Sequence, residues 1–250
     1  MRQHIDTAPV WEAYRQDCEC PVCVLAARVE ENNVGYFLGE SVMEPDQRIE
    51  VNGKGFCPRH FKKLYEAGNR LGIGLMTHTY LKETMRRMEK DIQALNEAAD
   101  AEAGKPLLKR IAGKKGAGMA ESVDALKAYT DTCVLCERLD DNMERYIYTI
   151  LYMYRHEKEF PELVKNSKGL CLKHFREVLV AASKHLTGET LSEFVHTVTA
   201  NETENLSRLE KEIEWFTLKF DYRNDDKPWG NSRDAVKRTI NKLRGDIIEK

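Results

Sequence analysis

Cys20-Pro21-Val22-Cys23, Cys57-Pro58-Arg59-His60, Cys133-Val134-Leu135-Cys136 and Cys171-Leu172-Lys173-His174 are the four phrases on which the reading of this 250-residue chain turns. They come as Cys-x-x-Cys then Cys-x-x-His, twice, with 33 intervening residues in the first copy and 34 in the second. The second phrase of each copy sits in matching words, Gly55-Phe56-Cys57-x-x-His60-Phe61 and Gly169-Leu170-Cys171-x-x-His174-Phe175. Three thiolates and one imidazole per copy fill a tetrahedral zinc shell and leave no open position. The spacing predicts Cys20, Cys23, Cys57 and His60 around one ion, and Cys133, Cys136, Cys171 and His174 around a second. The expected cofactor is therefore zinc, two per chain. An Fe–S cluster held by three Cys and one His is the alternative, although cluster ligation is mainly by four Cys. Thioredoxin-like use of Cys-x-x-Cys lacks its βαβ context.

Outside these phrases the chain reads as helix. Apolar residues recur at Val22, Leu25, Ala26, Val29, Tyr36 and Phe37, then at Leu81, Met85, Met88, Ile92 and Leu95 with heptad spacing. The Met85 and Met88 stripe reads as core. Leu139, Met143, Tyr146, Ile147, Ile150 and Tyr154 mark a further helix, and Leu191 to Phe220 another. A short capped helix spans 5–14. Residues 43–55 read as turn-rich, without sustained helical spacing. Cys57-Pro58 and Cys171 each open a helix, where the positive N-terminus favours thiolate. A last helix starts near Ser232 with Ala235, Val236, Ile240 and Leu243 inward. No stretch has the period of a strand. The expected class is all-α, an internally duplicated helical bundle with two Cys₃His metal sites. Its parts are a first zinc-binding helical repeat over 1–100, a linker or loop over 101–120, a second repeat over 121–220, and a C-terminal strap and helix over 221–250.

Composition narrows the function classes. Lys and Arg number 39 against 41 Asp and Glu, and the sequence pI is about 6.4. That balance argues against a dominant nucleic-acid footprint, which shows as a basic excess. No apolar run approaches the ~20 residues of a membrane span, and the N-terminal residues lack a signal-peptide pattern. A cytoplasmic protein is expected, and Cys-x-x-Cys pairs in a reducing compartment read as metal sites before disulfides. Cys18, the seventh cysteine, aligns with Asp131 of the second copy and reads as a bystander.

Six further residues are candidates for a pocket or for orienting the metal ligands. Arg48 and Asn52 precede the first Gly-Phe-Cys, where loop hydrogen bonding around the metal site is the expected role. Asp221, Tyr222, Arg223 and Trp229 lie in a tail without a counterpart in the first half. A strap docking the last helix is its expected role, and a pocket wall the alternative. Phosphate loops, nucleotide fingerprints and nucleophile elbows are absent from the sequence. No reaction is identified, and closed metal shells point away from an enzyme. The partner to be expected is a protein or small molecule of unknown identity.

The phrases Asp6-Thr7-x-Pro9-Val10, Met43-Glu44-Pro45-Asp46-x-Arg48-Ile49-Glu50-x-Asn52-x-Lys54-Gly55-Phe56-Cys57-x-x-His60 and Lys219-Phe220-Asp221-Tyr222-Arg223-Asn224 resemble, with the four metal phrases, a bacterial family of unknown function. The resemblance runs the full length and implies no activity. Some members carry the label of transporter substrate-binding protein. Such a role would require export, which this N-terminus does not suggest.

Overall fold

The computed structural model describes residues 3–104 and 117–245. Eleven α-helices occupy them: α1 Gln3–Tyr14, α2 Pro21–Leu38, α3 Pro45–Lys54, α4 Pro58–Glu66, α5 Arg70–Ala103, α6 Ala117–Ala125, α7 Val134–His156, α8 Phe160–Asn166, α9 Leu172–His185, α10 Gly188–Leu218 and α11 Ala235–Arg244. No strand occurs among the described residues, so the all-α expectation holds. Proline opens α2, α3 and α4 as Pro21, Pro45 and Pro58. The first turn of a helix leaves N–H groups unpaired in any case, so proline costs little there. Asn69 caps α5, its side chain accepting from Gly72 N at 2.9 Å.

The helices form two compact units. One is Met1–Val29 with Asp140–Lys250, and the other is Glu30–Leu139. These spatial units are not the two halves of the chain. Helices α2 and α7 each begin in one unit and end in the other. The Glu30–Leu139 unit is built on Val34, Phe37, Val51, Phe56, Leu64, Ile73, Met76, Val134 and Leu135, all buried in one cluster. Phe37, Phe56 and Phe61 meet edge to face in sequence, with centroids 5.5 and 5.4 Å apart, the arrangement favoured by the ring quadrupole. In the other unit Phe160 takes Trp11 and Tyr14 edge-on at 5.3 and 5.1 Å. Val22, Leu25, Ile150, Met153, Val178, Phe194 and Leu209 are buried in that unit.

Three sequence expectations change. Residues 45–54 are helical, not turn-rich. Pro45 and Asp46 start the helix well, and tertiary contacts hold it. Arg48 donates to the carbonyls of Val42 and Leu75 and to Thr79 Oγ1, while Arg138 reaches Glu50 at 2.6 Å. Only Val51 on this helix is buried, too few apolar residues to make a period. Second, the heptad stripe of α5 is not core, since Leu81 is 54% exposed, Met85 65% and Ile92 47%. Third, Val236, Ile240 and Leu243 of α11 are also substantially exposed. The inward residues of α11 are Ala235 and Lys242. Of the expected linker, 105–116 lie outside the described residues, while 101–103 finish α5 and 117–120 start α6.

Lys242 is wholly buried, which is sustainable only with its charge paired. Its ammonium donates to the carbonyl of Lys168 at 2.8 Å and to Glu202 Oε2 at 3.1 Å. The same carboxylate oxygen accepts from Leu170 N at 2.9 Å, one residue before Cys171. The ion pair thus ties α10 and α11 to the approach of a metal phrase. Replacing Lys242 by Met leaves Glu202 charged and unpaired in the interior, an expected loss of about 3–5 kcal/mol. Denaturant unfolding of the variant, compared with that of the parent chain, measures it.

Candidate metal centres

The eight expected ligands gather into two tetrads, but not in the expected combinations. Cys20, Cys23, Cys171 and His174 form tetrad I, and Cys57, His60, Cys133 and Cys136 form tetrad II. Each Cys-x-x-Cys therefore meets the Cys-x-x-His of the other copy, which corrects the copy-by-copy pairing read from spacing. Helix length works in the same direction. Cys20 and Cys23 stand at the start of α2, whose 18 residues carry the chain about 27 Å away at 1.5 Å per residue. Helix α3, with 10 residues, recovers at most about 15 Å. Likewise α7 runs 23 residues, about 35 Å, beyond Cys133. Tetrad I lies wholly in the Met1–Val29 and Asp140–Lys250 unit, and tetrad II wholly in Glu30–Leu139.

Both tetrads have the dimensions of a single-ion shell. In tetrad I, His174 Nδ1 lies 3.5, 3.3 and 3.2 Å from the sulfurs of Cys20, Cys23 and Cys171, and Cys23 Sγ lies 3.6 Å from Cys171 Sγ. In tetrad II, His60 Nδ1 lies 3.3, 3.2 and 3.4 Å from the sulfurs of Cys57, Cys133 and Cys136, and Cys57 Sγ lies 3.8 Å from Cys136 Sγ. A tetrahedron with Zn–S of about 2.3 Å and Zn–N of about 2.0–2.1 Å has edges of about 3.8 Å between sulfurs and about 3.5 Å from sulfur to nitrogen. The cysteines are free thiols, far outside the S–S bond length of about 2.05 Å. In both tetrads the imidazole points Nδ1 at the sulfurs, leaving Nε2 for an outer partner.

The local chain explains this convergence. Cys57 and Cys171 are the N-caps of α4 and α9, so the histidine three residues later returns one turn onto the same side. His174 N donates to Cys171 Sγ at 3.4 Å, and Cys23 N does the same to Cys20 Sγ at 3.4 Å. Such N–H donors favour negative charge on sulfur. Gly55 has φ of 65°, and a Cβ there would stand 2.3 Å from the Tyr80 ring. Its turn directs Phe56 into the core and sets the carbonyl that accepts from Val134 N at 3.1 Å, beside Cys133. Gly245, at φ of 75°, closes α11 against tetrad I. Its carbonyl is 3.4 Å from Cys23 Sγ, and a Cβ would meet Cys171 Sγ at 2.7 Å.

Electrostatics in the metal-free protein are strained toward a cation. Burial and the neighbouring thiols push Cys20 up to about 12, while Cys171 is driven down by hydrogen bonds from Cys20 and Cys23. In tetrad II, burial and Cys133 push Cys136 up to about 12. Cys133 falls to about 6, because hydrogen bonds from His60 and backbone outweigh its desolvation. One thiolate per tetrad is thus favoured, while Cys20 and Cys23 in tetrad I and Cys136 in tetrad II resist following. A bound divalent cation would relieve that conflict by stabilising the thiolate form of all three sulfurs.

The outer partners differ between the tetrads. His60 Nε2 lies 3.0 Å from Glu30 Oε1. Glu30 is nearly buried and also binds Arg59 at 2.8 Å and Lys63 at 2.6 Å. Its desolvation is outweighed by these partners, and its carboxyl falls to about 2. With an ion on Nδ1, Glu30 and His60 would complete a carboxylate–histidine–metal triad. His174 Nε2 has only Glu177, at 3.9 Å. All four ligands of tetrad I are buried, whereas Cys57 and Cys136 of tetrad II are partly exposed. Spacing gave no hint of Glu30 or Gly245. Both act from other elements of the fold.

The other candidates stand apart from the tetrads. Arg48 staples α3 to α5. The Asn52 carbonyl accepts from the Arg87 guanidinium at 3.1 Å. Asp221 and Arg223 pair with each other on the surface, and Tyr222 is 85% exposed. Trp229 stacks against Phe216 and Phe220 at 5.8 and 6.4 Å. The turn holding them closes on Lys219, whose ammonium donates to the carbonyls of Asn224, Asp225 and Lys227 at 2.6, 2.9 and 2.8 Å. Cys18 belongs to neither tetrad. Its half-buried thiol lines, with Cys20, Cys23, Lys168, Lys237 and Arg238, an open cleft of about 260 Å³ beside tetrad I.

Two outcomes follow from the pairing and the triad. The double variant Cys20→Ser/Cys171→Ser is expected to lose one metal ion per chain, and Cys20→Ser/Cys57→Ser to lose both. Copy-by-copy pairing gives the opposite pattern, so metal content by elemental analysis separates the two. Glu30→Gln is expected to weaken tetrad II about 10–100-fold and leave tetrad I unchanged, read by chelator competition.

No curated protein and no solved structure matches the chain. Residues 1–250 match DUF6062, described as a family of unknown function. The chain, an all-helical protein with two Cys₃His clusters, therefore belongs to the DUF6062 family.

Proposed function

We propose that both tetrads bind zinc as closed structural centres, and that the helical scaffold they hold serves as a binding or interaction module in the cytoplasm. The observation that carries this reading is the presence of two buried or half-buried Cys₃His clusters whose ligand atoms lie within 4.8 Å of one another. Cys₃His is an established structural zinc set, and four protein ligands leave no place for the water that hydrolytic zinc sites keep. The short ligand separations favour one ion over an Fe–S cluster, which interposes several irons and sulfides between its ligands. The thiols lie as unlinked clusters, in keeping with a reducing compartment. Near-balanced charge favours a protein or small-molecule partner over nucleic acid. No described helix is long and apolar enough to cross a membrane. The repeated ligand phrase further suggests an ancestral duplication whose products exchanged ligand pairs.

Zinc at these positions would contribute to folding directly, since the ligands converge only in the folded chain. Protein purified without oxygen is expected to contain two zinc ions per chain and no absorption near ~400 nm, and to lose thermal stability on chelation. Iron with a brown colour would establish the cluster alternative, and a metal-free folded chain would remove the proposal.

A further inference from the structure

The α5 seam, expected to be core, faces solvent. Helix α5 packs against both α3 and α6, and the residues that meet them, Arg87 and Asp91, share one face four positions apart. The α3 side buries Gly72, Ile73 and Met76 and is pinned by Arg87, which donates to the carbonyls of Asn52 and Gly53. The α6 side carries Asp91, which accepts from the Tyr129 hydroxyl in the segment following α6. What remains is a second stripe along the helix: Leu71, Leu75, Leu81, Met85 and Ile92, all exposed. With Met88 and Leu95 at its margin, this stripe keeps the 3–4 alternation of a coiled-coil seam from Leu81 to Leu95. A monomer gains nothing from such regularity on an open face, and contiguous apolar patches of this kind mark interaction surfaces.

The charges along the stripe select its occupant. With Met85 and Ile92 at a positions and Leu81, Met88 and Leu95 at d, the flanking e positions on the open side are Lys82 and Glu89, both exposed. Neither has an ion-pair partner among the described residues. In a parallel pair of α5 helices, e meets g, and Lys82 and Glu89 would face Thr77 and Thr84, with no complementarity. In an antiparallel pair, e meets e. There Lys82 of one copy meets Glu89 of the other, and two-fold symmetry makes the bond twice. The same register sets Met85 opposite Met88 and Leu81 opposite Ile92, which fills four apolar layers about the two-fold axis and leaves Leu95 opposite His78 at each end. The stripe is thus complementary to itself in one orientation, as an isologous interface requires.

We propose that α5 is a homodimerisation helix: two chains associate through antiparallel α5 seams, with the two-fold axis between Met85 and Met88 and reciprocal Lys82–Glu89 pairs fixing the register. The occupant of the exposed stripe is a second copy of this chain. The interface lies within the Glu30–Leu139 unit and does not depend on which metal the tetrads take.

Sedimentation equilibrium of the full chain tests this. The wild-type protein is expected at about twice its 28.8 kDa mass across the micromolar range. Met85→Glu is expected to give a monomer with unchanged helix content. Because Met85→Glu alters an apolar face, two surface variants guard the conclusion. Lys82→Glu and Glu89→Lys each place like charges opposite one another twice, and each is expected to weaken the dimer about tenfold or more. The double variant Lys82→Glu/Glu89→Lys restores opposite charges and is expected to recover association to within about threefold of wild type. A monomeric wild-type chain overturns the proposal. So does a dimer indifferent to Met85→Glu, or a double variant as weak as the two single ones.

Discussion

Convergence of sulfur and imidazole from distant parts of the chain is the constraint on which this protein is built. Each tetrad joins a helix-opening Cys-x-x-Cys to a Cys-x-x-His that caps another helix, and the surrounding contacts serve that meeting. Gly55 and Gly245 bring backbone close to the ligands. The Lys242–Glu202 pair holds the segment before Cys171. Glu19, next to Cys20, anchors the same knuckle to Arg208 and Arg238 at 2.6 and 3.2 Å. Substantial charge is therefore buried around tetrad I, and it is held in ion pairs, as such interiors require.

The two centres are alike in ligand set and unlike in setting. Tetrad I packs against the end of α11 with all four donors buried, borders the cleft lined by Cys20 and Cys23, and among the described residues has Glu177 at 3.9 Å from its histidine. Tetrad II has Glu30 on His60 but leaves two sulfurs partly open. With an ion bound, a histidine held by a carboxylate would be a better electron donor and a better-oriented ligand, whereas burial of all four donors would limit the approach of competing ligands. Similar phrases thus lead to different protection, one electronic and one steric, through residues outside the phrases.

Much of this was legible in the sequence. The ligand identities follow from residue type and spacing, and the helical class follows from periodicity that runs nearly end to end. The pairing was not legible, because both Cys-x-x-His phrases suit either Cys-x-x-Cys. The Pro45–Lys54 helix is equally hard to read from the sequence. That helix was hidden because it is held by Arg48 and Arg138 through polar contacts, and it buries only Val51. The α5 stripe shows the converse. Its period is real, but period records which residues share a face and not whether the chain itself covers that face. In α11 the large buried residue is a lysine, whose partner lies 40 positions away on α10, a relation no local pattern carries.

The ligands follow the chain as brackets within brackets: Cys20 and Cys23 open, Cys57 and His60 pair with Cys133 and Cys136 inside, and Cys171 and His174 close. A polypeptide leaving the ribosome therefore delivers the inner set complete while the first pair still waits for its complement. Tetrad II has all its donors once residue 136 has emerged, and tetrad I only after residue 174. The order of synthesis separates two chemically identical ligand sets in time. Before that, from residue 60 until residue 133 emerges, the tetrad donors present are Cys20, Cys23, Cys57 and His60, so a non-native Cys₃His set is complete before either native one and only the later fold can sort the pairs.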